Sequence, residues 1–296
     1  MPILIDENTR LLVQGITGRQ AFANTLYMRA YGTRIVAGVT PGKGGRSVDG
    51  VPVYGAVTEA VAAHPEINAT VVYVPPRAVK GAAIEALTSG IPLVFLTTER
   101  VPQQDMLEVI EVAREKGARV VGPNTIGAIS PGRCVVGLIG ARVDHANLSF
   151  RAGPVGVLSR SGGQTTTVSY YLTRAGIGQS TALCVGGDPF VGTTWPDVLD
   201  LFERDPSTRV VAAFGEIGTD NEELAAEEIR AGRFTKRLVV YISGREALPG
   251  VRFGHAGALI RSSAGSAEAK RETLRSAGAV VLEHLDEMAD AVGKAL

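Results

Sequence analysis

The chain has 296 residues, 45% of them apolar and 20% charged, with 36 glycines and few aromatics. That length exceeds a single domain of roughly 100–200 residues, so two domains are expected, and the glycine-rich, aromatic-poor composition suits layered α/β packing rather than a repeat or a disordered chain. Thirty basic residues balance thirty acidic ones, which leaves no basic excess for a general nucleic-acid or anionic-membrane binder. Two cysteines, Cys134 and Cys184, cannot build a disulfide framework or a four-cysteine zinc site. Met1 to Glu7 carry neither the basic stretch nor the apolar core of a signal peptide, and no apolar run approaches the ~20 residues of a membrane span. A soluble, cytoplasmic protein is expected, with no metal site of its own.

Short apolar runs alternate with amphipathic stretches from the start. Leu11-Leu12-Val13, Ile35-Val36-Ala37, Thr70-Val71-Val72-Tyr73-Val74, Leu93-Val94-Phe95-Leu96 and Arg119-Val120-Val121 read as strands. Between them, residues 20–31, 56–63, 79–89 and 106–116 read as helices. Gly32, Gly90 and Gly117 stand where a left-handed C-terminal residue is wanted. Strand–helix alternation implies right-handed crossovers and a parallel sheet covered on both faces. Residues 1–124 therefore form a first, Rossmann-like domain. Residues 125–153, with Pro131-Gly132 and Gly153-Pro154 and no long helical pattern, read as a linker with an irregular excursion. Residues 154–296 repeat the alternation as a second doubly wound domain, with strands at 155–159, 180–184, 210–214, 238–241 and 280–282 and helices at about 164–175, 196–204, 222–231, 266–277 and 285–295.

The first strand runs into Gln14-Gly15-Ile16-Thr17-Gly18-Arg19-Gln20. A glycine turn between strand and helix presents free backbone N–H groups and the positive end of a helix dipole to a phosphate. The dinucleotide fingerprint asks for a second glycine where Thr17 stands, and for an acidic residue after the second strand. Here the second strand leads into Thr40-Pro41-Gly42-Lys43-Gly44-Gly45-Arg46, which is basic. A cation there suits a phosphate on an adenosine ribose, as in coenzyme A or NADP, better than NAD.

Of four histidines, His64, His145 and His284 read as surface or packing residues. His255 differs, because Gly254-His255-Ala256-Gly257 surrounds the imidazole with small residues. Two other features suggest its work. Ser159-Arg160-Ser161-Gly162-Gly163-Gln164-Thr165 is another strand-to-helix turn fit for an anion. Phe214-Gly215-Glu216-Ile217-Gly218 places a carboxylate at the end of a parallel strand, where ligands gather in open α/β sheets. A carboxylate bonded to one imidazole nitrogen fixes the tautomer and makes the other nitrogen nucleophilic. Attack on a phosphoryl group would give a phosphohistidine.

These segments together resemble the α subunit of succinate–CoA ligase (succinyl-CoA synthetase) and its malate- and citrate-handling relatives. The resemblance runs almost end to end and is carried by Gly38-Val39-Thr40-Pro41-Gly42-Lys43-Gly44-Gly45, Val121-Gly122-Pro123-Asn124, Ser159-Arg160-Ser161-Gly162, Gly186-Gly187-Asp188-Pro189, Gly215-Glu216-Ile217-Gly218 and Gly254-His255-Ala256-Gly257. It implies an α/β fold with an N-terminal Rossmann-like CoA-binding domain and a C-terminal flavodoxin-like ligase domain. It implies CoA contacts from Thr17, Gly18, Arg19, Gln20, Lys43, Thr97, Thr98 and Glu99, a phosphohistidine at His255, and a positioning carboxylate at Glu216. It further implies ATP or GTP with Mg2+ held on an ATP-grasp β subunit, in an αβ or α2β2 assembly, since no second nucleotide site stands out in this chain.

The departures bear on the acid. Succinate enzymes follow Ser-Arg-Ser-Gly with Thr-Leu-Thr-Tyr-Glu, whereas this chain has Gly163-Gln164-Thr165-Thr166-Thr167. Thr166 replaces the tyrosine near the carboxylate substrate, leaving space and a hydroxyl, so Ser161, Gly162, Gly163 and Thr166 are the expected acid-binding residues. Thr219 stands where a second glycine follows Glu-Ile-Gly, and Ala247-Leu248-Pro249-Gly250-Val251 lacks the family's lysine or arginine. The added polar groups suit an acid with a further hydroxyl, carboxylate or sulfonate. Two alternatives stay open from the residues: an NADP-dependent oxidoreductase, which leaves the His255 motif unexplained, and a non-catalytic CoA-binding subunit.

Overall fold

Leu11, Leu12 and Val13 are fully buried in β1 (Arg10–Gln14). A central strand covered on both faces hides both rows of its side chains. Leu11 and Val13 join one core cluster and Leu12 the other, as the strand pleat requires. The computed structural model describes residues 3–247, 250, 254–260 and 265–296. Leu248, Pro249, Val251, Arg252 and Phe253, which flank the histidine motif, lie outside the described residues.

From β1 the chain passes through α1 (Arg19–Tyr31), β2 (Arg34–Val39), β3 (Ser47–Val48), β4 (Val51–Tyr54), α2 (Val57–Ala63), β5 (Ala69–Val72), α3 (Val79–Thr88), β6 (Leu93–Leu96), α4 (Gln103–Glu115) and β7 (Arg119–Val121). The first sheet has the order β3-β4-β2-β1-β5-β6-β7 and is parallel except at the β3–β4 edge. That small antiparallel edge is absent from the sequence reading, since strands of two and four residues among glycines and Pro52 give no periodic signal. Gly32 ends α1 in the left-handed region, with its N–H on Arg29 O and the Thr33 N–H on Met28 O. The chain winds outward from β1 on one side and restarts at β5 on the other. The strand order therefore reverses between them, leaving a crevice at their carboxyl ends.

Residues 125–153 are not irregular. β8 (Gly127–Ser130) and β9 (Cys134–Gly137) form a hairpin, α5 (Val143–Ser149) follows, and β8 pairs antiparallel with β11 (Gln179–Cys184). Gly127 and Gly137 are sites of close strand approach. An added Cβ at Gly127 would lie 1.8 Å from Val136 O, and one at Gly137 would lie 2.4 Å from Ile126 O. The hairpin and the turn after it also pack on α1 and the residues just beyond it: the Tyr27 hydroxyl donates to Ile139 O at 2.5 Å and the Thr33 hydroxyl to Val135 O at 2.7 Å. It thus joins the second sheet by backbone pairing and the first half by side-chain packing.

The second half comprises β10 (Ala152–Ser159), α6 (Gly162–Arg174), β11, α7 (Trp195–Arg204), β12 (Val210–Gly215), α8 (Asn221–Arg230), β13 (Arg237–Ile242), α9 (Ala267–Ser276), β14 (Val280–Leu282) and α10 (Met288–Ala295). Its sheet has the order β14-β13-β12-β10-β11-β8-β9, parallel from β14 to β11. Helix α7 seats fully buried Phe202 against Gly156 of β10, where a Cβ would stand 2.6 Å from the ring. The winding direction reverses around β10, so a second crevice opens where Ser159 and Gly215 end their strands. Among the described residues no helix is long and apolar enough to cross a membrane.

Candidate active site

The turn after β1 approaches β5 so closely that a Cβ on Gly15 would lie 2.5 Å from Tyr73 O. Gly18 then caps α1 without a side-chain hydrogen bond, so the first-turn N–H groups are left for a ligand. They border a cleft of about 750 Å³. Gly18, Arg19, Gln20, Thr97, Thr98 and Glu99 all line it, with the loop after β5 and residues 124–126 as further walls. The hydroxyls of Thr97 and Thr98 donate to Val72 O and Val74 O at 2.8 and 2.7 Å, which fixes the second wall to the end of β5. Thr17 and Lys43 do not line this cleft. Lys43 Nζ donates to Thr17 Oγ1 at 3.1 Å, beside Thr40 Oγ1, as a separate cluster at the carboxyl ends of β1 and β2.

Ser161 caps α6, its Oγ accepting from the Gln164 N–H at 3.4 Å. Threonines are weak helix formers, and here their hydroxyls turn back on the preceding turn: Thr165 donates to Ser161 O at 2.8 Å and Thr167 to Gly163 O at 3.1 Å. The matching contact of Thr166, 3.5 Å to Gly162 O, is at the limit of a hydrogen bond, so this hydroxyl is weakly engaged. Gly162, Gly163 and Thr166 line a second cleft of about 360 Å³, whereas Ser161 does not. His145 of α5, read from sequence as a surface or packing residue, lines the same cleft. Ile126 and Leu138 border both clefts, which therefore adjoin.

His255 and Glu216 are brought together. His255 Nδ1 lies 2.7 Å from Glu216 Oε2, and their side chains are 29% and 9% exposed. The ring rests on Gly187, where a Cβ would come within 2.7 Å of it. The Gly257 N–H donates to Gly187 O at 3.1 Å and closes the loop over that contact. The hydrogen bond to Glu216 raises the His255 pKa above its ordinary value, against the opposing effect of burial. With Glu216 accepting at Nδ1–H, the neutral ring carries its lone pair on Nε2.

Arg160, 1% exposed, is a further member of the site, one whose role its motif alone does not reveal. Its guanidinium lies 3.1 Å from Glu216 Oε1 and donates to Thr219 Oγ1 at 3.0 Å and Asp188 O at 2.8 Å. The signal was its place directly after a parallel strand, at the end where ligands gather in open α/β sheets. Asn124, the last residue of the Val121-Gly122-Pro123-Asn124 motif, is another such member. Its side chain donates to Asp188 at 3.1 Å, its N–H to Thr98 O at 2.9 Å, and its carbonyl accepts from the Gly187 N–H at 3.3 Å. Asn124 thus connects the wall of the larger cleft to the shelf under His255. Among the described residues no group of three or more His, Cys, Asp or Glu stands close enough to hold a metal ion.

Residues 6–100 match the family described as CoA binding domain, and residues 152–294 the succinyl-CoA ligase like flavodoxin domain. The chain is 41% identical over 283 residues to a subunit of an ADP-forming sulfoacetate–CoA ligase from an Acholeplasma species, covering 96% of this chain and 94% of that one. Among solved structures it superposes on ATP citrate lyase from Methanothrix soehngenii in complex with citrate and coenzyme A, with a TM-score of 0.91 and 28% identity; the match covers 99% of this chain and 50% of the lyase chain. It is 48% identical over 296 residues to a succinate–CoA ligase [ADP-forming] α subunit of Archaeoglobus fulgidus, covering 99% of this chain and 98% of that one. Matched in both halves and along its length, the chain belongs to the succinate–CoA ligase α-subunit family.

Proposed function

We propose that the chain is the α subunit of an NTP-dependent acid–CoA ligase acting through phosphohistidine at His255. Residues 1–124 serve as the coenzyme domain and 154–296 as the ligase domain. The observation that supports this reading best is the 2.7 Å pairing of Glu216 with His255 Nδ1, which leaves Nε2 to act as nucleophile. Nε2 attacks the terminal phosphorus of ATP or GTP, the bond to the bridging oxygen breaks, and NDP leaves. A carboxylate oxygen of the acid then takes the phosphoryl group, and the N–P bond returns its electrons to the ring. Finally the CoA sulfur attacks the acyl carbon, the C–O bond to phosphate breaks, the thiol proton leaves with phosphate, and acyl-CoA forms.

CoA is assigned to the larger cleft, with the open α1 N-terminus taking a phosphate. The acid is assigned to the smaller one, where the N-terminal turn of α6 favours negative charge. The nucleotide and its Mg2+ belong on an ATP-grasp β subunit, and the assembly works in the cytoplasm. The test is the chain co-purified with such a subunit, given ATP or GTP, Mg2+, CoA and a panel of succinate, malate, citrate and sulfoacetate. CoA thioester from at least one acid, with acid-labile label on the chain, supports the reading. CoA binding without label or thioester identifies a non-catalytic subunit instead.

Two expectations follow, one for the Lys43–Thr17 cluster and one for the smaller cleft. Lys43→Ala should weaken CoA binding by roughly 1.5–3 kcal/mol, about 10- to 100-fold in Kd, if its ammonium meets a phosphate. Equal affinities by calorimetry would remove Lys43 from the site. Thr166→Tyr should shift the kcat/KM ratio toward succinate by roughly tenfold, because a phenol fills space open to a larger acid. An unchanged ratio across the panel would mean that Thr166 does not meet the substrate.

A further inference from the structure

Behind Glu216 lies a second layer of charge that the reaction does not use directly. Lys270 of α9 and Glu222 of α8 are both fully buried, and Glu223 is mostly so. Lys270 Nζ spends its three donors on Glu222 Oε2 at 2.8 Å, Glu223 Oε2 at 2.6 Å and the Thr219 carbonyl. Burying such a cluster is costly, and apolar side chains of equal volume would hold two helices together as well. Its connections are more specific than helix packing needs. Glu222 Oε1 accepts the backbone N–H of Glu216 at 3.0 Å. The Glu222 carboxylate lies so flat on Gly215 that a Cβ there would come within 2.8 Å of it. Lys270 also holds the Thr219 carbonyl, while the Thr219 hydroxyl takes the Arg160 NH1 that faces Glu216 Oε1.

We infer that the Lys270–Glu222–Glu223 cluster is a positioning device for Glu216: it fixes the glutamate's backbone through Glu222 and its carboxylate through Thr219 and Arg160, and so sets the pairing with His255. The inference rests on the phosphohistidine reading above. None of the three side chains touches a reacting atom, so they are positioning residues.

The experiment uses the full chain co-purified with its nucleotide-binding subunit. It reads the single-turnover rate of acid-labile labelling from ATP, the 15N NMR titration of His255, and CoA affinity as the measure of folding. The charged groups facing the Glu216–His255 pair are Arg160 and Asp188, with Glu222 at the Glu216 backbone and Lys270 and Glu223 behind it. Glu222→Ala should slow labelling about 10- to 100-fold, the effect of misplacing a reacting group by an ångström or less. It should also lower the His255 titration midpoint and leave CoA affinity unchanged. Glu222→Gln keeps an acceptor for the Glu216 N–H and should restore most of both.

A Glu222→Ala protein that melts earlier but labels and titrates like wild type overturns the positioning role. Where that variant fails to bind CoA, Glu222→Leu combined with Lys270→Met, which removes the central buried pair together, takes its place with the same two outcomes. A wild-type chain that takes no acid-labile label overturns the phosphohistidine reading and this inference with it. A labelled wild type with an indifferent Glu222→Ala overturns only the inference.

Discussion

His255→Asn should abolish both the covalent label and turnover and leave CoA affinity unchanged. Asparagine keeps an amide donor on the side of Glu216 but offers no nucleophilic nitrogen, so the first phosphoryl transfer has no acceptor. The separation of the two effects comes from the fold. The walls of the larger cleft are drawn from residues 18–21, 73–76, 97–99, 124–126 and Leu138, none of them in the loop that carries His255. The ring's own neighbours, Gly187 and Glu216, belong to the second half. Phosphoimidazole is acid-labile and base-stable, unlike phosphoserine, so the lability of the label identifies the type of side chain that holds it. Calorimetry with CoA confirms that the variant is folded. Acid-labile label persisting on the His255→Asn chain would place the intermediate elsewhere and sink the mechanism, whatever the acid.

The parts of this architecture that were legible beforehand are those written in a local period. Buried parallel strands such as Val210–Gly215 are continuous apolar runs, and helices such as Gln103–Glu115 end near glycines, so element type follows from neighbours in the chain. The hairpin at 127–137 was not legible, because its glycines are explained only by the opposing strand and its packing only by α1, which lies elsewhere in sequence. The site divides in the same way. Glu216 and the cleft glycines stand in distinctive short motifs at strand ends, and His255 in a glycine-flanked motif between β13 and α9. Arg160, Asn124, Lys270 and Glu222 carry meaning only through partners such as Glu216, Asp188 and Thr219, and Lys270 sits in a helix whose sequence reads as an ordinary charged surface. His145 is exposed, as its sequence suggests, and only the placement of α5 beside α6 puts it on the smaller cleft.

Glu216→Gln tests the electrostatics of the pair without changing its shape. The glutamine carbonyl can still accept Nδ1–H, but two consequences of the lost charge differ in their dependence on pH. The first concerns the transition state. As the Nε2–P bond forms, positive charge develops on the ring, and a carboxylate 2.7 Å away stabilises it. Removing a preorganised electrostatic partner of this kind costs roughly 10²–10³ in rate. The second concerns the ground state. Glu216 is the main cause of the raised His255 pKa, while burial and Arg160 act to lower it and remain after the substitution. The nucleophile must be unprotonated at Nε2, so the labelling rate of wild type rises with pH through a midpoint above the ordinary histidine value of about 6.5. In Glu216→Gln that midpoint falls, and the acid limb moves to lower pH. The defect relative to wild type is therefore smallest in acid and largest on the alkaline plateau. Arg160, 1% exposed, meanwhile loses its anionic partner and keeps, among the described residues, Thr219 Oγ1 and Asp188 O, so the variant should also be less stable, by up to about 3–5 kcal/mol for a fully unpaired buried charge. Single-turnover labelling between pH 5 and 9 decides the matter. An acid limb that stays in place or moves upward, in a variant that still binds CoA, would show that Glu216 does not govern the protonation of His255.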